Sequence, residues 1–354
     1  MEYNKNFKQP WINSALLDII YILTPPFLAL LLVAILPRQF KETSEMPLMY
    51  WLVLIVFVDV AHVYSTLYRT YFNPLEYRQK QSLLLTIPAL CYVTGVLCYS
   101  IDAFVFWRIL AYLAVFHFIR QQYGFMRLYS RSEAKSTFAS AIDSITIYAS
   151  TLYPIIYWHV NPGRNFNWFT DGDFWLYQSQ MFSDTALVLY LAILIVYLIK
   201  ESFLIIKTHR INIPRNLLIA GTALSWYFGI VYFNGDMAFT TLNVLSHGIP
   251  YMALIWFFEK ENHARKQQTP SRILKFSFGK YGIVLFILVL LTLAYMEEGL
   301  WDGLIWREHS GIFAPFAFLP KIEDKKLLSL LIPLLALPQS THYVLDGFIW
   351  KRKK

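Results

Sequence analysis

Four of the eight histidines, His62, His117, His247 and His342, fall one each inside four long apolar runs. Ionisable side chains are costly in hydrocarbon, and those found there are commonly functional. Imidazole is also the commonest protein ligand for metals. Each of the four precedes a basic flank by a similar interval. His62 lies 7 residues before Arg69, His117 10 before Arg127, His247 13 before Lys260 and His342 9 before Lys351. At about 1.5 Å per helical residue these intervals differ by only ~9 Å. Four co-oriented helices would therefore hold the four rings at one level. The other four histidines, His159, His209, His263 and His309, fall in loops between apolar runs.

Each intramembrane histidine has polar company one helical turn away. Asp59 stands three residues before His62 and Thr66 four after; Arg120 and Gln121 stand three and four after His117. Asn243 stands four before His247, Tyr251 four after it, and Asp346 four after His342. Spacings of three and four share a helix face. A metal-bound imidazole usually passes its other N–H to a carboxylate, amide or carbonyl. Asp59 and Asp346 suit that role or a ligand role, and Asn243 suits the former. Imidazoles with carboxylates and no thiolate favour iron, then zinc or copper. Pro250, three residues after His247, removes the helical bond to Ser246, and Pro338 stands four before His342. Such breaks are tolerated at depth where the backbone lines a cavity.

A cationic stretch, from His117 through Arg120, Gln121 and Gln122 to Arg127, ends the fourth apolar run, and Arg69 ends the second. An arginine fork there can hold a carboxylate or phosphate head. Arg69, Arg120, Gln121 and Asn243 are thus expected to contact substrate, with Arg120 also acting in the chemistry and Tyr251 as a proton donor. Asp18, Asp143 and Glu201 are solitary on their runs and read as structural, and Glu297, Glu298 and Asp302 read as a solvated acidic rim.

Other uses of the histidines are plain helix packing, a proton relay, transport of a metal ion, proton or small anion, and haem ligation. A two-haem bundle usually carries two histidines per helix, whereas this chain has one per helix at a single level. The outward continuations, such as Leu52 to Val58, are apolar and offer no polar conduit. No two histidines lie within five residues, and HExxH, GxSxG and phosphate-loop motifs are absent. The layout is similar in style to that of membrane carotenoid-cleaving oxygenases, which also scatter iron-ligating histidines singly over several helices. No motif of that family is matched residue by residue. An iron-dependent membrane enzyme oxidising or otherwise modifying a lipophilic substrate is the expected activity, with an electron donor as a possible partner.

The elements that must position these residues follow from composition. The chain has 354 residues, 56% hydrophobic and only 15% charged. Soluble domains carry about 25% charged residues, so this chain cannot clothe a water-facing surface of its size. An all-α, polytopic membrane bundle is expected. Ten apolar runs are long enough to span, near 14–36, 47–69, 82–101, 102–122, 137–158, 184–206, 214–234, 239–259, 280–298 and 326–348. The net charge of +8 is spread over the loops, which argues against nucleic acid and for lipid contact. With the N-terminus inside, inner segments hold 23 Lys and Arg and outer segments 7. That bias supports N-in, C-in topology by the positive-inside rule, and a bacterial inner (plasma) membrane location is expected. Cys91 and Cys98 share one apolar run and read as buried hydrophobes. The whole chain is expected to form one transmembrane domain, with the basic loop 260–280 separating an eight-helix body (1–260) from a final pair (281–354).

Overall fold

The computed structural model describes residues 8–133, 136–264 and 271–350. Lys5, Lys135, Arg265, Lys266 and the basic tail 351–354, all counted toward orientation, lie outside the described residues, as does the middle of the loop 260–280. Among the described residues every regular element is helical. In chain order these are α1 (Ala15–Leu23 with Pro25–Ile35, bent by 45°), α2 (Leu48–Arg69), α3 (Gln81–Ile101), α4 (Ala103–Tyr129), α5 (Thr137–Val160) and α6 (Gln180–Thr208). They continue with α7 (Ile213–Trp226, extended by Tyr227–Tyr232), α8 (Asp236–Ala264), α9 (Gly282–Trp306) and α10 (Lys325–Leu335 with Leu337–Ile349, bent by 43°).

Five of these, α2, α3, α4, α6 and α9, are long and apolar enough to cross a membrane, or seven if the bent α1 and α10 each count as one span. The other three expected spans are helices too, but more polar ones. Asp143, Thr146, Ser150 and Thr151 in α5, Thr222 and Ser225 in α7, and Asn243, Ser246 and His247 in α8 are all buried. Their polar faces lower their hydropathy and are turned inward. The outward faces of α3 and α6 are the reverse, with Leu90, Leu97, Leu189, Ile195, Leu198 and Ile199 exposed. Apolar surface on that scale belongs in lipid.

Local chemistry explains the breaks. Pro25 and Pro338 start the second halves of α1 and α10, where a missing N–H costs no helical bond. Asp102 alone separates α3 from α4. It is extended, and its carboxylate accepts from the Phe104 N–H at 2.7 Å, capping the new helix. Residues Leu52–Val60 of α2 are π-helical, a form often found at functional sites.

The Cα packing falls into two compact units. The first takes residues 1–46, 118–167 and 174–250; the second takes 47–117, 168–173 and 251–354. Two of the five cuts fall inside unbroken helices, after His117 in α4 and after Pro250 in α8. In the second unit α4, α9 and α10 share an aromatic-rich core around Trp107, Trp301 and Tyr343, while Leu84 and Ile87 of α3 pack on Leu345 and Ile349 of α10. Its loop 168–173 closes on Asp173, whose carboxylate accepts from the N–H groups of Trp168, Phe169 and Thr170. Burial pushes the Asp173 carboxyl above its usual range, and these donors act against that shift.

In the first unit α5, α6 and α7 close over a buried ion cluster. Lys200 donates to Asp143 and, at 2.5 Å, to Glu201. Arg215 donates to Glu133 at 2.5 and 2.6 Å, to Asp143 at 3.2 Å and to Glu201. Asn216 adds a bond to Glu201 at 2.9 Å. Asp143 and Glu201, which looked solitary in sequence, thus meet two cations, one from α6 and one from α7. Removing one partner from a buried ion pair leaves an uncompensated charge and costs about 3–5 kcal/mol. Thermal unfolding in detergent should therefore show Asp143→Ala strongly destabilised. Arg38→Ala, which breaks a pair whose guanidinium is 87% exposed, should leave the midpoint unchanged. A wild-type midpoint for Asp143→Ala would remove the cluster as a support of this unit.

Candidate metal centre

Three of the predicted ligands converge within the second unit. His62 comes from α2, His117 from α4 and His342 from the second half of α10, and each is at most 2% exposed. The ring centroids of His117 and His342 are 4.4 Å apart, those of His62 and His342 5.1 Å, and those of His62 and His117 6.4 Å. Tyr251 of α8 completes the group, 5.0 Å from His342 and 5.8 Å from His62. His247 precedes Tyr251 by one turn on the unbroken α8, so helix geometry alone carries it to the same level. Each of His62, His117 and His342 offers one ring nitrogen, and these atoms all lie within 4.8 Å of one another. The chain thus contains four buried histidines and several apolar helices, which are compatible with a membrane metal site.

The donor set fits a metal ion. Ligand nitrogens on a tetrahedral ion with bonds of about 2.0–2.1 Å stand about 3.3 Å apart, so shifts of about 1 Å would bring the rings onto one ion. His342 Nε2 is buried and has no hydrogen-bond partner among the described residues, while Nδ1 of the same ring lies 2.7 Å from Thr66 Oγ1. A buried polar atom without a partner is expensive, and a cation would relieve that cost.

The surrounding carboxylates divide between helices. Asp59, on the π-helical stretch, stands 3.6 Å from His62 Nδ1 on its own helix. Asp346 does not turn to His342 four residues earlier. It lies 3.5 Å from His117 Nδ1 and accepts from the Tyr251 hydroxyl. The orienting partner of His342 is Thr66, whose hydroxyl also lies 3.0 Å from Tyr251 Oη. Thr66 stands one turn after His62 in sequence, but its hydroxyl serves two other helices.

The residues expected to hold a substrate head are engaged otherwise. Arg69 donates to Glu259 at 2.9 Å, beside Glu76 at 3.3 Å, and its guanidinium lies over Phe258. Arg120 is exposed, lies over Tyr123 and donates to Tyr148 Oη at 2.6 Å. Asn243 donates to the Phe239 carbonyl at 2.9 Å and packs against Gly229, where any Cβ would come within 2.8 Å of its amide. Gln121 donates to the His247 carbonyl at 2.9 Å, and Gln122 to the Ser246 carbonyl at 3.4 Å. Ser246 is the carbonyl that Pro250 leaves without its helical donor. The two glutamines therefore mend the backbone break beside His247, a role signalled in sequence by the proline. The acidic rim is not solvated. Glu297 is buried and accepts from Tyr64 Oη and Gln339 Nε2, each at 2.5 Å, and Asp302 is buried and accepts from the His309 N–H at 2.7 Å.

Beside His342 the second unit holds an open-sided cavity of about 290 Å³, lined chiefly by apolar side chains including Val63, Leu67, Leu334 and Leu345. Its volume is at the small end of ligand sites. The tyrosine hydroxyls on its wall are already spent: Tyr64 donates to Glu297 and Tyr71 to the Leu84 carbonyl at 2.7 Å.

The proline repair makes a double-mutant prediction. Gln122→Leu strips the Ser246 carbonyl of its donor and should destabilise the protein by about 1–3 kcal/mol. In a Pro250→Ala background the helical N–H returns, and the same substitution should cost markedly less. Equal losses of denaturation midpoint in both backgrounds would show that Gln122 does not serve that carbonyl. No protein-family model matches the chain, and no curated protein and no solved structure matches it.

Proposed function

We propose that the chain is a ten-span, N-in and C-in membrane metalloenzyme of the plasma membrane. His62, His117, His247 and His342 hold one ion in the cytoplasmic half of the bilayer, and the enzyme modifies a lipophilic substrate. The observation that carries the proposal is the mutual approach of the buried imidazole nitrogens of His62, His117 and His342 to within 4.8 Å, with His247 one turn before Tyr251 on α8. Neutral imidazoles with nearby carboxylates and no thiolate favour iron, with zinc or copper as alternatives. Such an ion supplies Lewis acidity or, if it is iron, dioxygen activation. Asp346, 3.5 Å from His117 Nδ1, orients that ring, and Asp59 flanks His62. The apolar cavity against His342 supports a hydrocarbon substrate, because its walls offer few uncommitted hydrogen-bonding groups. Arg69 and Arg120 have protein partners that account for them, so a charged substrate head is not part of the proposal.

Metal analysis of the detergent-purified protein tests this. About one equivalent of a transition metal, without a Soret band, is expected for wild type. Each of His62→Ala, His117→Ala, His247→Ala and His342→Ala should lose it. A metal-free wild type from metal-replete cells, or alanine variants that keep full metal, would overturn the metal site; a Soret band would replace it with haem. Leu334→Trp, which narrows the cavity, should keep the metal yet bind the polyene fatty acid cis-parinaric acid at least fivefold more weakly by fluorescence.

A further inference from the structure

We propose that Thr66 is a positioning residue that decides which nitrogen His342 offers to a metal. It does so through a one-way hydrogen-bond chain running from His342 through Thr66 and Tyr251 to Asp346. All four side chains belong to the second unit. Threonine and serine hydroxyls within a helix ordinarily turn back to a carbonyl of the same helix. The neighbours of Thr66 do this: Ser65 donates to the His62 carbonyl at 2.6 Å, and Thr70 to the Thr66 carbonyl at 2.7 Å. The Thr66 hydroxyl instead meets Tyr251 Oη at 3.0 Å and His342 Nδ1 at 2.7 Å, on two other helices.

The direction of the chain follows from counting protons. An ionised carboxylate only accepts, and a hydroxyl carries one proton. Tyr251 donates to Asp346, which uses its proton. Its oxygen can then only accept, so Thr66 donates to Tyr251. That in turn uses the proton of Thr66, so Thr66 accepts from His342, and Nδ1 of His342 carries hydrogen. In a neutral imidazole the lone pair is then on Nε2, which is the buried atom without a hydrogen-bond partner. At the far end Asp346 Oδ2 lies 3.5 Å from His117 Nδ1, and the carboxylate favours hydrogen on that atom too. One chain thus sets two rings to offer Nε2. Run in reverse, it would place the hydrogen on His342 Nε2 and block that nitrogen as a ligand. The consequence for ligation rests on the metal-site proposal; the tautomer itself does not.

The test uses ¹⁵N-histidine NMR on the metal-free, detergent-solubilised full chain, with His342→Gln to assign the signal, followed by zinc titration. Wild type and Thr66→Ser should show His342 protonated on Nδ1 and bind zinc within about threefold of each other. Thr66→Val removes the acceptor and should lose that preference, with zinc affinity falling about 10–100-fold, the usual effect of losing a ligand's orienting partner. Tyr251→Phe gives an independent reading. It leaves the Thr66 proton free to point at His342 Nδ1, and should move the imidazole hydrogen to Nε2 although Thr66 is intact. Hydrogen on Nε2 in wild type would overturn the proposal, as would a His342 signal indifferent to both Thr66→Val and Tyr251→Phe. If the tautomer behaves as described but wild type binds no zinc or other metal, the chain stands and the metal-site proposal fails.

Discussion

A polar group removed from water must find a partner inside the protein, and most of the buried architecture of this chain answers that demand. The carboxylates, guanidinium and ammonium of the first unit answer it largely among themselves, because Asp143, Glu201, Lys200 and Arg215 pair with one another across three helices and leave only Arg215 Nε bare among the described residues. The imidazole of His342 in the second unit answers it only in part. His342 has one nitrogen held by Thr66 and the other left bare in a buried setting. A cluster of mutually paired charges holds helices together, whereas one with a lone pair to spare can also bind a cation.

The backbone is governed by the same constraint. Prolines and π-helical turns interrupt several apolar helices, and each interruption exposes carbonyls that hydrocarbon cannot solvate. Where the chain breaks outright, as at Pro25 and Pro338, the second helix starts with the proline in its first turn. Where α8 continues through Pro250, side-chain amides from α4 step in. The repaired stretch is the one carrying His247, so its irregular backbone is held by neighbouring groups. The π-helical run in α2 ends just before His62 and carries Asp59, which joins a widened helix to the first carboxylate around the site.

Apolar residues divide by their surroundings. Leucine and isoleucine on α3 and α6 stay outside, where lipid accepts them. The core of the second unit is instead aromatic, with Trp107, Trp301 and Tyr343 filling space between α4, α9 and α10. Large rigid rings suit an interior that must hold three imidazoles in fixed orientations, since they bury much area with few rotamers to freeze.

By itself the sequence determined the helical class, the positions of the apolar segments and the four histidines as a candidate set. Those properties depend on short-range periodicity: one ionisable residue per long apolar run, each a similar distance from a basic flank, stands out without any knowledge of packing. Partnerships between helices were not legible. Asp346 follows His342 by one turn, yet it serves His117 and Tyr251. Thr66 follows His62, yet it serves His342. Arg69 and Gln121 looked ready for a substrate head, but Glu259 and a backbone carbonyl hold them. Glu297 looked like a solvated rim, but Tyr64 and Gln339 enclose it. Helical spacing says which residues share a face. Which neighbouring helix that face meets, and at what rotation, depends on contacts between residues distant in the chain, and only the tertiary structure decided them.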